Sequence, residues 1–208
     1  ITGKAEYLQY EEGDPFHDGK SYIPGAGADL KTGIGSNLNL NATINPDFGQ
    51  VEIDPAVINL SDVETFYQEK RPFFIEGSTI FDFGMGGARN YWGFNWGGTD
   101  FFYSRRIGRQ PQGSIPDDVD YSDYPTGTHI LAAAKLTGKL GESWNVGTIQ
   151  NVTRREFAGI SSNGTQSEIE VEPLAYYGIF RGQNEFDNGQ QGLGFISTLA
   201  VRDFDDER

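Results

Sequence analysis

Asn37-Leu38-Asn39-Leu40-Asn41-Ala42-Thr43-Ile44-Asn45 has an apolar residue at every second position and Asn or Thr at each one between. A period of two without error is the pattern of a strand with two unlike faces. Asparagine is normally depleted in strands, so a run of it on one face means that face meets water or a polar interior. Upstream, Leu30, Thr32 and Ile34 alternate with Asp29, Lys31 and Gly33, and Gly35-Ser36 makes the turn between the two strands. Residues 2–10 read as another strand, and the acidic, then Gly- and Pro-rich residues 11–27 as a loop.

The same regularity returns downstream. Strands are expected at 128–138 and 144–155, joined by Lys139-Leu140-Gly141-Glu142-Ser143, and at 172–184 and 190–202, joined by Phe186-Asp187-Asn188-Gly189. The Asn-Gly of the second turn is a strong hairpin signal. Strands in globular proteins have a mode of about 5–6 residues, whereas a membrane barrel needs about 9–11. Length, turn spacing and the alternation of Ile130, Ala132, Ala134 and Leu136 with polar or small neighbours favour a transmembrane barrel over a soluble, lectin-like sandwich.

Between the two regular regions lies Asn45–Glu76, NPDFGQVEIDPAVINLSDVETFYQEKRPFFIE. It carries seven carboxylates (Asp47, Glu52, Asp54, Asp62, Glu64, Glu69, Glu76) against Lys70 and Arg71, and prolines 46, 55 and 72 break it into short pieces. Its Phe, Val and Ile content is too high for a free linker. Residues 77–100 are dominated by Gly and aromatics, Phe101 to Ile107 reads as a short strand, and 109–127 as an exposed loop. Residues 46–127 are therefore expected to form a folded, plug-like insert within a single β domain spanning 1–208.

Composition narrows the function. With sixteen basic against thirty acidic residues the net charge is −14, which repels nucleic acid. Absence of cysteine removes disulfides and thiolate metal sites, and two histidines, His17 and His129, leave little for zinc or a triad. There is no signal peptide and no apolar run of about 18 residues, so no spanning helix is expected. The start at Ile-Thr-Gly reads as a processed or excised piece.

Candidate chemistry rests on carboxylates. Glu52 and Asp54, two apart on a strand, would share a face at a spacing compatible with a glycosidase acid and base, although so acidic a chain produces such pairs freely. Asp117, Asp118, Asp120 and Asp123 invite a calcium reading, but EF-hand spacing is absent and a solvated loop explains them. Arg71, Arg105 and Arg106 are expected to make structural ion pairs with acids drawn from Asp47, Glu52, Asp54, Glu64, Glu69 and Glu76, because a guanidinium fork suits bidentate carboxylate pairing. No cofactor motif is present.

Three strings stand out: Asn45-Pro46-Asp47-Phe48-Gly49-Gln50-Val51-Glu52, then Glu69-Lys70-Arg71-Pro72-Phe73-Phe74-Ile75-Glu76-Gly77, then Phe102-Tyr103-Ser104-Arg105-Arg106-Ile107-Gly108. In this order they resemble an uncharacterised family of large outer-membrane β-barrels of Gram-negative bacteria, whose barrel commonly follows a family-nine carbohydrate-binding domain. The resemblance implies an all-β fold of antiparallel up-and-down strands, part of a larger barrel, with further strands beyond Arg208. It implies a bacterial outer-membrane location, with membrane lipid as partner and glycans or other envelope proteins as further ones. The function expected is transport, export or surface attachment, and the alternative is a membrane-associated glycan hydrolase using carboxylates of residues 47–76.

Overall fold

A computed structural model describes residues 2–7, 13–46, 66–82 and 101–205. In chain order the elements are β1 (Thr2–Tyr7), β2 (Lys20–Gly25), β3 (Ala28–Ile34), β4 (Leu38–Ile44), the one-turn helix α1 (Pro72–Ile75), and 3-10 turns at Ser78–Phe81 and Ser104–Arg106. Then come β5 (Tyr121–Asp123), β6 (Ile130–Leu140), β7 (Trp144–Thr153), β8 (Glu156–Ser162), β9 (Thr165–Glu172), β10 (Leu174–Phe186) and β11 (Gln191–Asp203).

Every strand pairing is antiparallel. The strands form a two-stranded sheet β1-β2, a three-stranded sheet β5-β8-β9, and a six-stranded sheet ordered β11-β10-β7-β6-β4-β3. The expected outer-membrane barrel is not what the chain builds. β3 and β11 are the two edges of the large sheet and do not pair with each other among the described residues. Six strands also fall short of the roughly eight that enclose a narrow filled barrel. The β8-β9 hairpin leaves the meander to join β5 in the three-stranded sheet, so β7 finds β10 as its neighbour. The outer-membrane location and the lipid partnership, which the resemblance implied, are not supported by these open sheets. No helix among the described residues is long and apolar enough to cross a membrane.

The four long strands near 130–203 form as their alternation predicts, and three local readings change. Residues 20–25 form β2 where a loop was expected. Phe101–Ile107 turns at Ser104–Arg106 and makes no strand, because the carbonyls of Ser104 and Ile107 are taken by the Arg71 side chain. β8 and β9 were not expected at all, yet Asn163 (φ 51°) and Gly164 (φ 76°) give their turn the left-handed pair that a tight hairpin needs.

The six-stranded sheet is the scaffold, and its two faces are unlike. One face carries Asn41, Thr43, Lys135, Thr137, Asn151, Thr153 and Arg181, all buried. Against it pack α1 and the two 3-10 turns, so that Phe74, Phe81 and Ile107 join Ile130, Ala133, Ile149 and Ile179 in one core. Gly147 makes room for this layer: a Cβ there would lie 2.6 Å from Ile80 Cγ2 and 3.0 Å from the Phe81 ring. The polar face of the Asn37–Asn45 pattern is thus the covered one.

The apolar face is the open one. Register places Leu30, Ala42, Ala134, Gln150, Gly178 and Leu199 side by side across all six strands. Leu30, Ile44, Phe180, Phe195, Leu199 and Val201 are exposed, and Leu193 reaches 73 % exposure. Between Ala28 and Ile34, Leu38 and Ile44, Ala132 and Leu140, Trp144 and Val152, Leu174 and Phe186, and Leu193 and Val201, no position on this face holds a charged residue.

Candidate functional site

The Glu69–Glu76 and Phe102–Gly108 strings meet at one buried node. Arg71, 7 % exposed, sits on Glu69 with both ends of its fork. Nε donates to Glu69 Oε1 at 2.8 Å and Nη2 to Oε2 at 2.7 Å. The rest of the guanidinium crosses to the second string, Nη1 donating to the Ile107 carbonyl at 2.6 Å and Nη2 to the Ser104 carbonyl at 2.8 Å. Ser104 Oγ closes the loop by donating to Glu69 Oε2 at 2.5 Å. The Phe74 ring lies beneath the guanidinium, 4.3 Å from its carbon to the ring centroid. Beside it, Tyr103 Oη accepts from the Tyr67 amide at 2.8 Å, and its ring meets Phe66 at 4.8 Å. Burial works to raise the Glu69 carboxyl, but the hydrogen bonds and charge of Arg71, with Ser104, outweigh it and hold the group below the ordinary carboxylate range.

A second node fastens α1 to the sheet. Lys135, 1 % exposed in the middle of β6, donates to the carbonyls of Phe73 and Glu76 and lies 5.1 Å from the Phe73 ring centroid. These carbonyls are among those a helix C-terminus leaves unsatisfied. Burial pushes the Lys135 ammonium down from its ordinary value, the Glu76 charge opposes that, and Lys31 adds to it. Glu76 receives Lys31 Nζ on Oε1 and Asn41 Nδ2 on Oε2 at 3.3 Å. A third node lies at the far end of β6, where Glu156, 3 % exposed, accepts from the His129 amide at 2.9 Å and from Arg154 Nη2 at 2.8 Å, with the His129 Nδ1 2.8 Å from its Oε1. Burial raises the Glu156 carboxyl, and Arg154 and His129 more than offset it.

The structure treats the sequence candidates unevenly. Arg71, Glu69 and Glu76 stand in the nodes just described. Arg105 and Arg106 form the 3-10 turn, with Arg106 5.9 Å from the Tyr103 ring centroid. Asp47, Glu52, Asp54 and Glu64 lie outside the described residues. Asp117, Asp118, Asp120 and Asp123 are exposed, with Asp120 Oδ2 accepting from the Asn163 amide at 2.7 Å and the Asp118 carbonyl from Ser162 Oγ at 3.2 Å. No group of three or more His, Asp or Glu able to hold a metal comes together among the described residues. The described carboxylates of 66–76, Glu69 and Glu76, are both engaged by cations, so the glycan-hydrolase alternative has no support in the arrangement. Sequence reading missed Lys135, Arg181 and Glu156. The first two had a signal, a cation set among apolar and neutral residues in the middle of a strand.

The family model for a domain of unknown function (DUF5916) matches residues 7–206, so the chain belongs to that family. No curated protein and no solved structure matches it. The open sheets among the described residues correct the expected resemblance to an outer-membrane barrel family. Transport, export and surface attachment across that membrane lose their basis with it.

The nodes predict an acid limb of stability. A carboxyl whose folded pKa is depressed stabilises the fold fully above its unfolded value and loses that contribution as pH falls through the folded one. For Glu69 and Glu156 the loss therefore begins below their ordinary value of 4.5. Urea midpoints measured from pH 6 downward should fall across this range, and Glu156→Gln should flatten the fall. An unchanged slope in that variant would remove Glu156 from the account.

Proposed function

We propose that this domain is a non-catalytic assembly module that docks through the open face of its six-stranded sheet onto the same face of a second copy. The observation that carries the proposal is that this face holds no charged residue within the strand ranges given above, the charge of Asp203 standing at its margin opposite Leu174. Apolar patches on monomers rarely exceed a few hundred Å². Six strands at about 4.8 Å spacing and about seven residues at about 3.3 Å rise make a rectangle of roughly 650 Å². Two copies would then bury roughly 1,300 Å², within the ~1,200–2,000 Å² of specific interfaces.

Two further features support this reading. Polar side chains on the face satisfy one another: Tyr176 Oη donates to Gln150 Oε1, and Gln150 Nε2 to Thr148 Oγ1. Such self-satisfied polar groups can be covered without a partner for each. Each copy also carries a net charge of −14, and a neutral face lets two of them approach without setting like charges against each other.

Sedimentation equilibrium tests the proposal. The chain should form a dimer in detergent-free buffer, and Phe180→Glu or Phe195→Glu should raise the dissociation constant by about 30-fold or more, the effect of burying a charge at a hot spot. Asn39→Glu, exposed on the opposite face, should leave it unchanged. A monomer at all concentrations overturns the proposal, and so does a chain that is monodisperse only when detergent or lipid vesicles cover the face.

A further inference from the structure

A cavity of about 200 Å³ lies between residues 101–109 and the covered ends of β10 and β11. Its walls include Phe101, Phe102, Tyr177 and Ile179, and three arginines, Arg106, Arg109 and Arg202, reach it. Among the described residues no carboxylate lines it, although the chain holds thirty acids against sixteen bases. We propose that this cavity is a binding site for a small aromatic carboxylate, a flat apolar ring carrying one anionic group.

Charge sets the sign of the ligand. Arg109 gives Nη2 to Gln112 Oε1, while its Nε is buried without a hydrogen-bond partner among the described residues. A buried donor left unpaired is costly, and a guanidinium aims its donors as a planar fork that fits a carboxylate. The Arg202 side chain makes no hydrogen bond or ion pair among the described residues. The acids of the adjoining cavity, Glu170 and Glu172, do not pair with it among the described residues, and Glu170 Oε1 is buried without a hydrogen-bond partner there. Glu170 is paired with Arg155 at 3.6 Å, and Glu172 Oε2 accepts from the Gln112 amide at 3.1 Å. Two cationic groups thus face one small space with capacity to spare, and Arg106 adds a third positive charge at its rim.

Size and wall chemistry set the body of the ligand. An apolar cavity of about 150 Å³ takes up benzene, so one of this volume holds a six-membered ring with one carboxylate. Phe101, Phe102 and Tyr177 offer the ring aromatic partners, and Ile179 lies in the floor. A bare inorganic anion would leave these walls unfilled.

The test titrates the full chain with benzoate, benzamide and inorganic phosphate by calorimetry. Benzoate should bind at least about tenfold more tightly than benzamide, the effect of a charge-assisted hydrogen bond, and more tightly than phosphate. Arg202→Gln should weaken benzoate by about tenfold or more and leave benzamide unchanged; Arg109→Gln should do the same. Because Arg202 is exposed on the edge strand, its loss does not threaten the fold. No heat with benzoate, equal affinity for benzamide, equal or tighter binding of phosphate, or indifference to Arg202→Gln each overturns the proposal. Self-association is read separately and should not change in Arg202→Gln, so the two proposals stand or fall independently.

Discussion

Arg71→Ala should lower the unfolding free energy by about 3–5 kcal/mol, the range for removing one partner of a buried ion pair. The reason is what stays behind. Glu69 would keep its half-buried place with only Ser104 Oγ and two backbone amides, those of Lys70 and Arg71, to hold its charge. The carbonyls of Ser104 and Ile107 would lose their donors, and the Phe74 ring its covering cation. Arg71→Lys should recover only part of the loss, since an ammonium cannot span both carboxylate oxygens and two carbonyls at once. Glu69→Gln should cost less than Arg71→Ala, because an amide can still accept from the guanidinium. Equilibrium denaturation in urea checks all three. An Arg71→Ala midpoint within error of wild type would mean that the node orders the two strings without stabilising the fold.

That node also marks where sequence reading succeeded and where it could not. The Asn37–Asn45 alternation identifies a strand with one polar face, and Arg71 beside Glu69 identifies a fork with an acid in reach. Which face is covered was not legible, because alternation gives period and not direction. Covering the polar face requires α1 and the 3-10 turns to bring their own apolar residues, Phe74, Phe81 and Ile107, over Lys135 and Asn151. That is a tertiary fact with no local signature. Closure was equally out of reach. Long alternating strands are what a barrel and an open sheet share, and only pairing at the two edges separates them. The β8-β9 hairpin, by contrast, carries a local signature in Asn163-Gly164.

The open sheet also explains why the cations missed in the sequence matter. On the buried polar face of the sheet the long side chains of Lys135 and Arg181 reach past their own positions, Lys135 to the carbonyls of Phe73 and Glu76 in the covering layer and Arg181 to carbonyls of both β10 and β11 and of Asp82. Arg181 donates to Gly182 O at 2.5 Å and Phe195 O at 3.2 Å, and extends to Asp82 O at 3.4 Å beyond the sheet. The two cations thus stand at either side of the covering layer, one under α1 and the other under the second end of the Ser78–Phe81 turn.

Lys135→Ala should be the second most damaging change, at about 3–4 kcal/mol, because it combines a cavity with two carbonyls that lose a charged donor. Lys135→Met separates the two effects. It refills most of the volume and spares the cost of burying an ammonium, so its loss should be about 1–2 kcal/mol, from the carbonyls of Phe73 and Glu76 alone. The two variants should also differ from wild type in the alkaline limb. A lysine whose folded pKa lies below its ordinary 10.5 is deprotonated first in the folded chain. Between the folded value and 10.5 the unfolded state therefore binds more protons, and stability contributed at this site rises with pH. Wild type minus Lys135→Met, measured by urea denaturation from pH 8 to 10.5, should become more favourable to wild type as pH climbs. A difference that stays flat or narrows would mean that the ammonium is stabilised where it sits, and that the carbonyls of α1 more than offset its burial.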